Sequence, residues 1–572
     1  MVEVACIASF LQSMAHPASI LPLSTHIKCG VCSADFTPLE AELVLRAKMS
    51  APAPRICPNC RRQRRLGHIN QFNLFRRTCS ASGEVIISQY PVDATFPVYA
   101  QKYWHSEDFD PSLQAREIDF TRPFFDQFYE LQCTVARPAL FTTYLDNVNS
   151  SYTNYAGYNK NCYLLFQSGY GEDCYYSYFL ERGRNCVDCY ATHDCELAYE
   201  IIDCKNCYHV AYLRSCELCS DSYFLEDCIS CSRCIGCVGL RHKELHAFNR
   251  PVSAQEFEVL RAQLQSQRGL AELSEKLRAL RQGFPRRFAT QVRCEDVSGE
   301  GLESCAEVYE SYDCLGVQNG AHLSMCFSPS KDLLDCDGCG IGELLYESHQ
   351  SGLNGYRLFC TLACIENVYD LAYCDLCQSS HDLFGCVGMR RAEFSILNKA
   401  YTEKHYRELT ARLQAHMKQT SEWGEFFPLQ RSLVPYNLSI AQLRYPLTKA
   451  QATAAGYAWY DKSLGIACNG EYSLPDSLAE TDQTLCSKVL ACASCGDGYK
   501  VIRQEYAFLR RMKLAPPRQC FRCRHKRRMQ ARNPQQLWDR HCSNCAKSIR
   551  SSISPQVFGP VLCADCYEQT LQ

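Results

Sequence analysis

Thirteen cysteines lie between Cys162 and Cys237, and every one stands at a residue number divisible by three. Reading every third residue from 162 to 240 gives only Cys, Leu, Ser, Gly, Thr, Ala, Ile and Val, with no charged or aromatic residue among the 27 positions. Charged residues make up 21% of the chain, so about six would fall there by composition alone. The tyrosines take the other two phases, among them Tyr163, Tyr170, Tyr175, Tyr176, Tyr178, Tyr190, Tyr199, Tyr208, Tyr212 and Tyr223. A period of three is neither the 3.6 of a helix nor the 2 of a strand. It implies an interior that admits only small or aliphatic side chains at every third position. A narrow solenoid with short arms and frequent corners provides this, each coil packing only on its neighbours. Two coil lengths fit. A lag of 21 joins Cys174, Cys195, Cys216 and Cys237; a lag of 12 joins Cys162, Cys174 and Cys186, or Cys204, Cys216 and Cys228.

A looser copy follows at 294–398. There Cys305, Cys314 and Cys326 share one phase, Cys336, Cys339 and Cys360 another, and Cys374, Cys377 and Cys386 return to the first. The two arrays end alike: Gly236-Cys237-Val238-Gly239 and Asn249 match Gly385-Cys386-Val387-Gly388 and Asn398 at an offset of 149. Each is followed by an expected helix. Ser253-Ala254-Gln255-Glu256 reads as a capping box ahead of Phe257, Leu260 and Leu264. Thr402 to about Lys418 reads likewise, with Tyr406, Leu409 and Leu413 on one side.

The two ends of the chain are also written twice. At an offset of 463, Cys29, Cys32, Cys57, Cys60 and Cys79 coincide with Cys492, Cys495, Cys520, Cys523 and Cys542. Pro54-Arg55, Arg64-Arg65, Asn70, Leu74 and Arg77 recur at Pro517-Arg518, Arg527-Arg528, Asn533, Leu537 and Arg540. Two C-x-x-C pairs held at one fixed separation in both copies are explained by a tetrahedral site, in which four thiolates reach one Zn²⁺ at about 2.3 Å. The C-terminal copy adds Cys542, Cys545, Cys563 and Cys566, a second ribbon of the same kind. Its N-terminal counterparts are Cys79, Ser82, Ala100 and Tyr103. That place is expected to be metal-free and packed instead, with Tyr103 and Trp104 in its core. Twelve cysteines, from Cys29 to Cys566, thus predict at least three structural zinc ions.

The chain has 572 residues, a net charge of −2 and 41 cysteines. The length allows roughly three or four domains, and the charge carries no overall signature of nucleic acid or membrane. Cysteine this dense in a long chain with many C-x-x-C pairs favours metal ligation in a reducing, cytoplasmic setting over a secreted disulfide scaffold. No run of eighteen apolar residues exists, so no transmembrane helix is expected. The segment 1–25 lacks the basic start of a signal peptide and reads as a disordered leader. The expected fold is mixed and multi-domain. Small α+β treble-clef and zinc-ribbon modules at 26–104 and 486–570 flank β-solenoid-like triplet arrays at 151–249 and 294–398. An aromatic connector at 105–150, a helical linker at 250–293, and a helix and connector at 399–485 join them.

Three readings of the array cysteines stay open: core filling by a small apolar thiol, metal ligation by pairs such as Cys186/Cys189, Cys204/Cys207, Cys228/Cys231 or Cys374/Cys377, and disulfides. The second pair in each end module opens a basic segment, Arg61, Arg62, Arg64 and Arg65 in one and Arg524, Lys526, Arg527 and Arg528 in the other. These residues suit phosphate contact with RNA or a ribonucleoprotein, or a solvated face, or neutralisation of a Zn(Cys)₄ centre. No Walker loop, G-x-S-x-G, H-E-x-x-H or Rossmann fingerprint is present. A closed Cys₄ set leaves no open coordination position for catalysis. His193, His209, His242, His322, His349 and His381 in the arrays read as structural.

Further motifs carry a resemblance. They are Leu474-Pro475-Asp476, the run from Cys520 through Arg528, Arg532-Asn533-Pro534, Arg540-His541-Cys542 and Leu562-Cys563-Ala564-Asp565-Cys566-Tyr567. Asp119-Phe120, Pro123-Phe124-Phe125, Gln127-Phe128 and Tyr436-Asn437 add to them. In this order they resemble a family of cysteine-rich bacterial proteins with treble-clef and zinc-ribbon domains, widespread in uncultured candidate-phylum lineages. The resemblance implies zinc at the matched cysteines and implies no reaction. The sequence reading is therefore a non-enzymatic zinc scaffold that binds RNA or, through its tyrosine-rich arrays, a protein partner. A metal or thiol-redox buffer is the alternative, and a carbohydrate-active enzyme on a solenoid a more distant one.

Overall fold

The computed structural model describes residues 26–142, 146–326, 329–338, 340–349, 353–468 and 472–571. The expected leader at 1–25 and Cys339 lie outside these residues. Two compact units form, and neither is continuous in sequence. One joins the described residues up to Ile69 with Asp110–Ala136 and Thr290–Trp459; the other joins Asn70–Phe109, Arg137–Ala289 and Tyr460–Gln572. The first quartet of cysteines thus shares a unit with the second array, and the C-terminal quartets share one with the first array.

The first array is a parallel ladder in which each residue pairs with the one twelve places on. Arg184 pairs with Glu196 and Glu196 with Tyr208; bridges carry the same column from Lys160 through Glu172 and from Tyr208 through Ser220 to Ser232. Of the two lags in the sequence, the shorter is the coil. Each triplet is two extended residues followed by one in the left-handed region, with φ between 45° at Asp221 and 62° at Tyr212 over residues 155–233. None of these corners is glycine; Tyr, Leu, Phe, Arg and Asp all occupy them. Such a conformation costs an L-residue roughly 1–2 kcal/mol, so the ladder and core must offset it at every corner. Hydrogen bonds between coils do part of this: Lys160 N–H donates to Gly171 O at 2.8 Å and Asp173 N–H to Lys160 O at 3.0 Å.

The backbone pattern also explains why cysteine fills the inward place. The N–H of an inward residue points towards the inward side chain one coil earlier. Where that side chain is serine the bond is explicit: Ser150 accepts from Cys162 N at 3.0 Å, Ser168 from Leu180 N at 2.9 Å, and Ser177 from Cys189 N at 3.0 Å. Where it is cysteine, the thiol also donates to two carbonyls, two residues back and nine ahead. Cys174 reaches Glu172 O at 3.3 Å and Gly183 O at 3.4 Å; Cys186 reaches Arg184 O at 3.5 Å and Cys195 O at 3.2 Å. A small, mostly apolar group that both donates and accepts weakly suits this place. All thirteen cysteines are buried with Leu165, Ile201, Val210, Leu213 and Leu225 in one core. Burial pushes the Cys204, Cys216 and Cys228 thiols well above their ordinary range, and the described cysteines are free thiols.

In the second array the step varies between twelve and thirteen. Ser324 pairs with Asp337, His349 with Leu362 and Leu362 with Asp375 at a step of thirteen, whereas Asp337–His349 and Asp375–Val387 keep twelve. Three single-residue insertions advance the inward phase by one each, and together they restore it. The sequence pattern, with two slips, placed Cys360 in the interior phase. Cys360 instead sits at a left-handed corner (φ 54°), and Cys364 takes the inward place.

Both arrays close in the same way. The Asn249 side chain accepts from Val238 N at 2.9 Å and donates to Val238 O at 2.8 Å; Asn398 does so with Val387 at 2.8 and 2.9 Å. The last strand then turns antiparallel, His246 facing Pro251 and Ser395 facing Ala400. This ends the open edge that parallel pairing would leave. Gly236 and Gly385 precede these caps at φ 66° and 63°, and a Cβ on Gly236 would clash with the Phe248 ring.

The expected helix after the first array is Ala254–Ala262, with the Ser253/Glu256 capping box formed. Leu264 lies beyond its end in a 3₁₀ turn, Gln263–Gln265. A longer helix, Gln267–Gly283, follows from a Ser266 cap. After the second array Thr402 caps Glu403–Gln419, which buries Tyr406, Leu413 and Met417. Among the described residues no helix is long and apolar enough to cross a membrane.

If inward cysteines act as small donor–acceptors, Cys216→Ser will cost less stability than Cys216→Leu. The larger side chain should lose about 1–3 kcal/mol by overpacking, read as a shift in urea midpoint, with bound metal unchanged in both variants.

Candidate metal centres

The first C-x-x-C of each quartet sits on a tight hairpin. In the first, Ile27–Lys28 pairs with Asp35–Phe36. The loop closes by Ser33 N–H to Cys29 O at 3.0 Å, with Ser33 left-handed at φ 60°. Gly496 to Cys492 O and Ala546 to Cys542 O, both 2.9 Å, repeat the closure with φ 78° and 59°. The second pair of the first module opens a helix. Cys57 is the N-cap of Pro58–Leu66, with proline at its favoured first position. Cys520 is the N-cap of Phe521–Ala531 in the C-terminal module, and Cys563 that of Ala564–Thr570 in the ribbon.

These elements bring together Cys29, Cys32, Cys57 and Cys60; Cys492, Cys495, Cys520 and Cys523; and Cys542, Cys545, Cys563 and Cys566. Within each quartet all sulfurs lie within 4.8 Å of one another. Cys32–Cys57, Cys495–Cys520 and Cys545–Cys563 are each 3.8 Å apart. Four sulfurs at about 2.3 Å from one ion are themselves about 3.8 Å apart, so the quartets fit a tetrahedral metal. Backbone N–H groups already point at the sulfurs: Cys57 N to Cys29 Sγ at 3.3 Å, Cys520 N to Cys492 Sγ at 3.2 Å, and Cys563 N to Cys542 Sγ at 3.3 Å. Burial raises the Cys492 thiol, but the Cys520, Cys495 and Ser494 N–H groups outweigh it and bring it down to about 6. Cys542 is brought to about 6 in the same way by Cys545, Cys563 and Asn544. Thiolates are the metal-binding form, and these N–H groups favour it.

The fourth hairpin keeps the backbone without the ligands. Gly83 N–H closes on Cys79 O at 3.1 Å, and Ala100 N–H donates to Cys79 Sγ at 3.2 Å. Tyr103 packs edge-on against Tyr99 at 5.1 Å, and Trp104, 2% exposed, lies on Phe109 at 5.4 Å.

The basic segments do not present the phosphate-contacting face expected of them. Arg61, Arg62, Arg65, Arg524 and Arg528 are buried. In the first unit Arg61 binds Asp335 and, at 3.0 Å, Glu42; Arg65 binds Asp337 at 2.8 Å; Arg62 reaches Ser324 Oγ at 2.8 Å; Arg64 spans Glu347 and Glu425 at 2.9 and 2.8 Å. In the second, Arg524 binds Asp188 at 3.0 Å and Glu505 at 2.7 Å; Arg528 binds Asp188 at 2.7 Å and Glu200 at 3.1 Å; Arg527 binds Glu200 at 2.5 Å. Lys526 stays exposed, and so does Arg527 although it holds Glu200. The two clusters match in register. Glu42 and Glu505 share the 463 offset, and Asp335 and Glu347 follow Asp188 and Glu200 at one common offset. All four array carboxylates stand at left-handed corners, each pair one coil apart. Burial pushes the Asp335 carboxyl up, but the Arg61 and Arg65 guanidiniums hold it below its usual range. These carboxylates escape a reading by motif. The sequence signals them only through these two constant offsets.

The tyrosines divide. Tyr176, Tyr199 and Tyr223 are buried with the C-terminal module's Phe508 and Leu509 in one core. Tyr152, Tyr158, Tyr170 and Tyr208 are exposed, and Tyr158 stacks on Tyr170 at 4.8 Å and 5°.

No protein-family model matches the chain. No curated protein matches it either.

Removing one charge of such a cluster leaves its partners buried and uncompensated, which costs about 3–5 kcal/mol. Asp335→Asn is expected to lose that much by urea unfolding at pH 7, whereas Glu172→Gln, in the exposed pair with Lys160, should lose under about 1 kcal/mol. Because the folded Asp335 carboxyl is held low, its contribution is present at neutral pH and fades as pH falls through that folded value. The gap between the parent and Asp335→Asn should therefore narrow in acid.

Proposed function

We propose that this protein is a zinc-dependent, non-enzymatic scaffold in which each end module clamps a β-solenoid. The single observation that carries this is the course of the arginine helices. Each begins on a metal-ligand cysteine and within two turns places buried guanidiniums on array carboxylates. A zinc ion that orders the cysteine quartet then also orders the helix, and metal binding becomes folding free energy for the unit. The ladders supply a rigid platform, and the exposed tyrosines offer apolar surface with a polar tip for a partner.

Nucleic-acid contact through the arginines has no place in this reading, since array carboxylates hold them. The thiol-buffer alternative is weakened by the hydrogen bonds of the inward thiols. A protonated S–H donating to two carbonyls is a poor metal ligand and a poor nucleophile.

Elemental mass spectrometry on pure, chelator-washed protein should give three zinc ions per chain. Cys523→Ser should lose one of them and lower the thermal midpoint of the unit it serves. A ratio well above three places metal among the array thiols and returns the buffer reading to first place. A ratio near zero in folded protein ends the zinc-dependent reading.

A further inference from the structure

The helix Glu40–Lys48 turns one face to the second array, where Glu42, Leu45 and Arg46 are buried. Beside it runs an open groove of about 520 Å³, within the range of roughly 300–1,000 Å³ typical of binding clefts. Its apolar side is Leu39, Ala41 and Val44, the last 50% exposed. Glu40 stands on the helix side, and Glu307 and Tyr309 on the array side.

The charges around it are unequal. Glu307 belongs to a column of left-handed corners, Asp296, Glu307, Asn319 and Asp332, stacked one coil apart. The lining cation Lys48 is already bound to Asp332 at 2.7 Å, and Asn319 also donates to Asp332, at 3.2 Å. The Tyr309 hydroxyl donates to Asp296. Glu40 and Glu307 are exposed and form no ion pair among the described residues. The groove therefore pairs an apolar helix side with two uncompensated carboxylates, one on each wall. The walls are preformed: Arg46 bonds Glu42 at 3.0 Å and the Tyr346 hydroxyl, tying the helix to the array.

We infer that this groove docks a short peptide segment of a partner protein, one large apolar side chain flanked on both sides by lysine or arginine. The apolar group covers Val44 and Leu39, and the flanking cations meet Glu40 and Glu307. Charge complementarity of this kind selects the partner and speeds its capture. The inference goes beyond the scaffold reading, whose zinc content and stability are not its readouts.

The probe is a dye-labelled peptide, Lys-Arg-Leu-Phe-Lys-Arg, titrated by fluorescence anisotropy into the full zinc-loaded chain at low salt. Saturable binding is expected, and Glu-Glu-Leu-Phe-Glu-Glu should not compete. Val44→Asp and the pair Glu40→Lys with Glu307→Lys should each weaken binding at least about tenfold while leaving the thermal midpoint in place. Equal affinity in parent and both variants, or no saturation up to about 1 mM, overturns the inference. So does binding that emerges only after the segment 1–25 is removed, because the groove then belongs to the chain's own N-terminal segment.

Discussion

The contact on which both units depend is a buried cluster of guanidiniums and carboxylates. Arg61 and Arg65 meet Asp335, Asp337 and Glu42; Arg524 and Arg528 meet Asp188, Glu200 and Glu505. Charges taken out of water are expensive, and their mutual attraction offsets this only when geometry and pairing are nearly complete. Such a cluster is therefore intolerant of displacement and fixes register. A slip of the helix by one residue would leave several charges buried and alone. The cysteine quartet sets the start of that helix, and the corner positions of the ladder set the carboxylates. Cysteine quartet, helix and ladder are thus fitted to one another through these ion pairs.

Cysteine serves two chemistries in one chain, and the local backbone decides which. In the hairpins N–H groups converge on sulfur, bringing Cys492 and Cys542 to about 6 and favouring thiolates. In the ladders the sulfur lies between carbonyls, as Cys186 does between Arg184 O and Cys195 O, and acts as a donor. Acceptors facing a thiol favour its proton and donors favour its loss. Density of cysteine alone is silent on this difference. Serine marks it, because Ser150, Ser168 and Ser177 stand in for cysteine in the ladders, where a metal ligand set would not admit them.

Much of the candidate site was legible because a tetrahedral centre demands particular spacings. The quartets could be read from two C-x-x-C pairs repeated at one offset, and they assemble within 4.8 Å. The inward phase of the first array was legible for a similar reason, since a narrow interior excludes large and charged side chains. Coil length was not legible, because lags of 12 and 21 are both multiples of three, and only pairing between coils distinguishes them. The second array hid its insertions. A coil longer by one residue shifts the phase by one, which made Cys360 look inward when Cys364 is. The arginines misled for a different reason: a basic run reads the same whether its partners are phosphates or carboxylates far away in the chain.

Sequence alone thus determined the local chemistry here: which cysteines gather into quartets that could hold a metal, which positions face an interior, and where the arrays end. Each follows from constraints between residues near in sequence or repeated at a constant interval. The tertiary structure decided what those pieces do to one another. It placed the first quartet in one unit with the second array, and turned two basic segments into buried ion pairs. Those outcomes depend on contacts between residues from distant parts of the chain, such as Arg61 with Asp335 and Arg524 with Asp188. A charge carries no record in sequence of which distant counter-charge will neutralise it. Only the folded arrangement makes that choice.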